Sequence, residues 1–154
     1  MNEILTAGKK LEWRGSSVLY IIAAVLALIG LADSIYLTVE HLLGETAGCV
    51  VVKGCSEVLG SKYARVGSVP LAAFGALAYF AAFSLAVLAA FEHRRFEGLL
   101  MSLVQAMFAV TLWLLLVQAF VLHAFCDYCL LSAAVTLFLL IIVFAAYLFS
   151  RRNV

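Results

Sequence analysis

Charge is scarce in this chain. Asp, Glu, Lys and Arg make up 12% of its 154 residues, against roughly 25% in a typical soluble domain. With 66% of the residues apolar, too little polar surface remains to cover a core in water, which excludes an ordinary soluble domain. An excess of either sign is missing too. The formal net charge is +1, so nothing points to nucleic acid as a partner. Period-two alternation is absent from the apolar stretches, which excludes a membrane barrel. Proline occurs once, at Pro70.

What the chain does have is four long apolar runs, over 18–37, 69–91, 98–122 and 130–149. At about 1.5 Å per residue, a helix of about 20 residues crosses a hydrocarbon core of about 30 Å. The runs predict an all-α membrane protein. It is a bundle of four transmembrane helices over about 18–43, 69–91, 98–122 and 128–149, forming one domain over 1–154. The first run follows basic residues, as a secretory signal does, but it is too long for a signal core and the chain begins at Met1, so it reads as the first span.

The basic residues predict an orientation. Lys9, Lys10 and Arg14 precede the first span, Arg94 and Arg95 separate the second from the third, and Arg151 and Arg152 follow the fourth. Lys53, Lys62 and Arg65 lie in the first loop, on the other side. The positive-inside rule then places both termini in the cytoplasm and the first and third loops outside. Four cysteines gather at the outward face: Cys49 and Cys55 in the first loop, Cys126 and Cys129 where the third connection enters the fourth span. In bacteria that is the oxidising side.

The segment 44–68 is the one sizeable piece outside the spans. Val58, Leu59, Lys62 and Tyr63 recur at helical spacing and predict a short amphipathic helix on the membrane surface or over the bundle. Ser68 followed by Pro70 resembles a capped helix start with proline in the first turn.

Cys126-Asp127-Tyr128-Cys129 has C-x-x-C spacing at a predicted helix N-terminus. There the free backbone N–H groups and the helix dipole favour a thiolate, the reactive species in disulfide exchange. Cys129 lies one turn further into the bilayer, within reach of an apolar acceptor. Cys49 and Cys55 enclose five residues. Closing so small a loop contributes only about 2 kcal/mol on the chain-entropy model, so an exposed pair there suits opening and closing better than stapling, with Lys53 beside it to favour a thiolate. Permanent disulfides, free thiols and structural zinc are the other readings. C-x5-C with C-x2-C is an odd zinc pattern, and no metal ligand is assigned.

The ordered set of these residues resembles bacterial members of the vitamin K epoxide reductase family over nearly the whole chain. It comprises Ala32-Asp33-Ser34-Ile35-Tyr36-Leu37-Thr38, Cys49 and Cys55, Ser61 with Tyr63, Pro70 with Phe74, Gly75 and Tyr79, and Cys126-x-x-Cys129. The resemblance implies a membrane thiol oxidoreductase that supports disulfide formation. Cys49 would take electrons from a reduced thioredoxin-like protein, Cys55 would attack Cys126, and Cys129 would reduce a quinone (menaquinone, ubiquinone or a vitamin K-like molecule). The quinone would sit in the bundle near its outer end, under the loop. Leu71 and Ala133 stand where animal relatives carry a quinone-binding asparagine and tyrosine. Packing by Phe74, Leu77 and Tyr79 and a donor at Ser61 are assigned to the same pocket. Some family members carry a fused thioredoxin-like domain; this sequence ends at Val154, which implies a separate partner. Reduction of vitamin K epoxide or vitamin K quinone is the alternative activity. A non-enzymatic membrane protein with structural disulfides or a metal site is the alternative class.

Among the remaining polar residues, Asp33 lies inside the first span, where an acid is a functional candidate by default. It could relay a proton to a quinone, or bond across helices, and the second reading is favoured. Gln105 and Gln118 are predicted to hydrogen-bond between helices. Glu40 and His41 are predicted to emerge into water, and His123 could lower a thiol pKa. Trp13, Tyr20 and Tyr147 read as interfacial anchors, and Gly30 and Gly75 as points of close helix contact.

Overall fold

A computed structural model of the chain describes residues 2–44, 54–91 and 94–152, with side chains over 17–44, 54–91 and 95–152. Cys49, Lys53 and the side chains of Lys9, Lys10, Trp13, Arg14 and Arg94 lie outside the described residues. The chain folds as an all-α four-helix membrane bundle. In lipid no water is at hand to bond the backbone, so each apolar run satisfies its own N–H and C=O groups as a helix. Helix α1 runs Asn2–Leu43, and its span is Ser17–Leu43. After a short helix α2 (Cys55–Gly60) come the spans α3 (Leu71–Ala90), α4 (Arg94–Val117) and α5 (Asp127–Arg152). The last turns of α4 widen into a π-helix, Gln118–Leu122.

Helix α1 packs against α3 and α5, and α4 against α5 and α3. Large apolar side chains such as Ile21, Phe80, Trp113 and Phe138 face outward. In water they would form a sticky surface; in a bilayer they meet lipid. The inside is built from small residues. Ala23, Ala27, Ala82, Ala86 and Ala89 are buried between α1 and α3, which lets the two backbones approach closely. Leu100, Val104, Leu139 and Val143 close this core from α4 and α5. Tyr20 belongs to it as well, only 1% exposed. It shares a helix face with Ala23, Ala24 and Ala27, so it is a core residue and not the interfacial anchor its position suggested. Tyr147 carries the Arg151 guanidinium over its ring at 4.9 Å.

Gly30 of α1 lies directly against Tyr79 of α3. A Cβ there would overlap the ring of Tyr79, which is buried and cannot swing away. Gly30→Ala is expected to cost about 1–3 kcal/mol through overpacking, read as a lower melting temperature of the detergent-solubilised protein. An unchanged melting temperature would contradict this packing. Gly75 is less strict: a Cβ there would lie 3.3 Å from Ser34 Oγ.

Between α1 and α3 the described chain lies over one end of the bundle. The single amphipathic helix expected here is two pieces, α2 and a 3-10 turn at Lys62–Ala64. Ser61 separates them with extended backbone (φ −70°, ψ 156°), and its hydroxyl donates to Val58 O at 2.7 Å. A small antiparallel hairpin follows, β1 (Arg65–Val66) paired with β2 (Val69–Pro70). Its turn uses Gly67 at φ +66°, a conformation that glycine adopts without strain. Ser68 therefore sits in a hairpin turn and does not cap α3. Pro70 occupies the N-cap position in extended backbone (φ −64°, ψ 138°) and not the first helical turn.

Candidate functional site

The end of α4 sets up the first half of the site. The π-helix Gln118–Leu122 terminates at His123, which is left-handed (φ 50°, ψ 27°). The chain then runs without helix to Cys126, immediately before α5. The carbonyl of Cys126 accepts the N–H of Leu130 at 3.0 Å, which makes Cys126 the N-cap of α5. Its sulfur occupies the place of a Ser or Asp cap, which accepts the second and third helical N–H groups. Here those donors are Tyr128 and Cys129. The Cys126 thiol is held below the ordinary thiol range, first by the hydrogen bond from the Cys129 thiol and then by the backbone N–H groups of Cys129 and Tyr128. Burial and the charge of Asp127 oppose the shift.

This gives a pH prediction with a definite sign. A lowered pKa keeps the thiolate present at pH values where an ordinary thiol, near about 8.5, is already protonated. Replacing Cys129 with alanine removes the strongest of the stabilising bonds, so the Cys126 titration should move to higher pH. Ultraviolet thiolate absorbance against pH would read this, and a midpoint unmoved in Cys129→Ala would contradict it.

Gln118 holds the turn in place. It is 4% exposed, and its Oε1 accepts the Cys126 N–H at 3.4 Å. Its side chain also reaches the Cys129 sulfur. The bond across helices expected of Gln118 thus runs to the cysteine motif itself, a role that sequence reasoning missed. Tyr128, inside the motif, packs its ring against Tyr36 of α1 at 5.3 Å.

Cys126 and Cys129 are both free thiols. Cys126 is fully buried, packed in one cluster with Cys55, Val58 and Ala124. Cys55 is disulfide-bonded and opens α2 at 2% exposure, so it is not the exposed loop residue that the spacing suggested. Gly54 explains how the two segments come so close. A Cβ at Gly54 would stand 2.5 Å from Phe125 O and 2.9 Å from Phe125 N. The backbone just before Cys55 therefore rests on the backbone just before Cys126. A glycine beside a cysteine is visible in the sequence; what it touches is not.

Cys129 packs against the same cluster and also lines a cavity of about 390 Å³ bordered by all four spans and the 58–70 segment. Of the residues assigned to a pocket from the sequence, Ser61, Leu71, Phe74 and Tyr79 line it. Leu77 and Ala133 do not. Leu77 is 67% exposed on the outside of α3, while on α5 the wall is made by Cys129, Ser132 and Thr136. The Ser61 hydroxyl spends its proton on Val58 O, so it offers a ligand only lone pairs. Tyr79 OH is likewise committed, to Ser132 O (3.1 Å), Ser132 Oγ (2.9 Å) and Thr136 Oγ1 (2.8 Å). Tyr63 of the covering segment meets Trp113 of α4 edge-on at 6.5 Å and lines the cavity. Asp33, Ser34, His41, Thr111 and Gln118 add further polar groups to a wall that is largely apolar. Asp33 Oδ2 is buried with no hydrogen-bond partner.

Apolar walls, a few convergent polar groups and a free thiol at one end suit a flat ring with an apolar substituent, and the volume lies within the usual range of about 300–1,000 Å³ for small-molecule sites. A carboxyl oxygen without a partner among the described residues, on the same wall as that thiol, offers a polar contact to the oxygen of such a ring. The family model for the vitamin K epoxide reductase family matches residues 21–144, from the first span into the last.

Proposed function

From its membership of the vitamin K epoxide reductase family, to which this chain belongs, and from the site just described, we propose that it is a quinone-linked thiol oxidoreductase of the cell membrane. It draws electrons from a reduced thioredoxin-like protein and delivers them to a quinone, supporting disulfide formation in the partner. The observation that carries this reading is what the two cysteines of the C-x-x-C touch. Cys126 packs with Cys55, and Cys129, one helical turn on, lines a largely apolar cavity. The charge distribution of the loops supports a cytoplasmic placement of both termini and an outward placement of the cysteines.

The exchange steps balance as follows. The partner dithiol reduces the Cys49–Cys55 disulfide and leaves oxidised. The Cys55 thiolate attacks Cys126 in the Cys126–Cys129 disulfide, and Cys129 departs as the thiolate. Cys49 then attacks Cys55, restoring the loop disulfide and releasing Cys126. Free Cys126 and Cys129 beside a disulfide-bonded Cys55 correspond to this stage. A bound quinone supplies a two-electron sink, and the Cys126–Cys129 pair closes to a disulfide as it gives up its electrons. Cys126 is suited to each transfer because its N-cap position stabilises it as thiolate, both attacking and leaving.

The test is stoichiometric. Purified protein given a reduced thioredoxin-like substrate and a quinone should form one quinol for each partner disulfide. Thiol loss without quinol, or quinol without thiol loss, would overturn the reading.

A further inference from the structure

We propose that Asp33, on the cavity wall beside Cys129, supplies one of the two protons taken up when a quinone is reduced. This deepens the quinone-linked reading above and rests on it. Reduction to the quinol takes two electrons and two protons. The cysteine pair enters with Cys126 as thiolate, so it carries two electrons but one proton. The balance is then Cys126 thiolate, Cys129 thiol, quinone and Asp33 carboxyl giving the Cys126–Cys129 disulfide, quinol and Asp33 carboxylate. Water, entering at the end of the cavity where His41 lines it, restores the proton to Asp33.

The cavity wall leaves few other donors. Its titratable groups are Asp33 and His41 on α1, Tyr63 in the covering segment, Tyr79 on α3 and Cys129 on α5. Helix α4 presents only neutral polar groups, Thr111 and Gln118. The Tyr79 hydroxyl is tied to Ser132 and Thr136. His41 is two helical turns from Asp33, about 12 Å along the axis, and Tyr63 lies in the cover against Trp113. Cys129 is already counted. Asp33 is close enough to Cys129 and Tyr79 to interact electrostatically with both, and its Oδ2 is buried without a partner among the described residues. A carboxyl group in a span is costly unless something uses it, and among the described residues nothing bonds this oxygen.

The experiment compares Asp33→Asn and Asp33→Glu in the full chain. Pre-reduced protein is mixed with quinone and followed for one turnover across pH. Separately, the Cys126–Cys129 disulfide is reduced with dithiothreitol in the absence of quinone. Asp33→Asn should slow quinol formation by about 10²-fold, the usual scale of general-acid contributions, and flatten its pH dependence. Asp33→Glu should recover much of the rate. Dithiol exchange should match the native protein in both, showing that the fold and the cysteines are intact. Infrared difference spectra of the native protein should show a carboxyl band changing with turnover, absent in Asp33→Asn. Native rates in Asp33→Asn, equal slowing of dithiol exchange, or no carboxyl change in the native protein would each overturn the assignment. If Cys129→Ala still reduced quinone, the relay itself would fall. If Cys129→Ala were dead while Asp33→Asn kept native speed, only the proton assignment would.

Discussion

Cys129→Ala should abolish quinol formation from the thioredoxin-like substrate, with a loss on the order of 10³-fold or more, because residues that act as a unit fail together. Among the described residues Cys129 is the only cysteine on the cavity wall, and Cys126 is fully buried and does not line it. No other described thiol can reach a molecule in the cavity. The variant should nevertheless fold. Alanine suits the third helical position of α5, and the Gln118 bond to the Cys126 N–H does not depend on the thiol. Coupled thiol loss and quinol formation, followed with a quinone of any tail length, would measure the effect. Retained turnover would mean that the cavity is not the acceptor site.

Gly54→Val carries the second large effect and acts on the other side of Cys126. The added side chain cannot fit between α2 and the Phe125 backbone, and backbone, unlike a flexible side chain, does not rotate out of the way. At about 1–3 kcal/mol for overpacking, and about 1.4 kcal/mol per factor of ten, the ratio of protein with Cys55 packed on Cys126 to protein without that packing should drop by roughly 5- to 140-fold. Partner-driven turnover should fall by the same factor. Quinol formation by protein whose Cys126–Cys129 pair has been reduced chemically should stay at the native rate. Gly60→Val is the matched control, since nothing lies within 4 Å of a Cβ there. Equal turnover in Gly54→Val and Gly60→Val would remove the close approach from the mechanism.

How much of this was legible in the sequence depends on which physical effect decides each feature. The spans were legible because lipid imposes length and hydropathy directly: the predicted 69–91 and 98–122 became Leu71–Ala90 and Arg94–Val117 with its π-helical end. The C-x-x-C at a helix start was legible because spacing and the run behind it suffice. The inward faces were not. Helix α3 is apolar all round, so its sequence has no stripe to show which way it turns. Phe74 and Leu77 looked alike, yet one lines the cavity and the other points to lipid. The hairpin around Gly67 was hidden by a serine and a proline spaced like a helix start. Gln118 reads as one polar residue in a span; the π-helix that it opens, and the left-handed His123, turn the chain so that the motif comes within its reach. Asp33 was visible as an acid in a span, but its orphaned oxygen belongs to the fold.

The central claim is that Cys55 and Cys126 are the pair that exchange electrons across the two halves of the site. In Cys129→Ala, the Cys126 thiolate has no partner in its own motif and can attack only what it packs against. Mass-spectrometric mapping of disulfides in that variant, alkylated at low pH and digested, tests the claim directly. The account predicts a Cys55–Cys126 disulfide with Cys49 alkylated. Alkylated Cys126 with Cys55 still paired elsewhere, or Cys126 joined to Cys49, would contradict it.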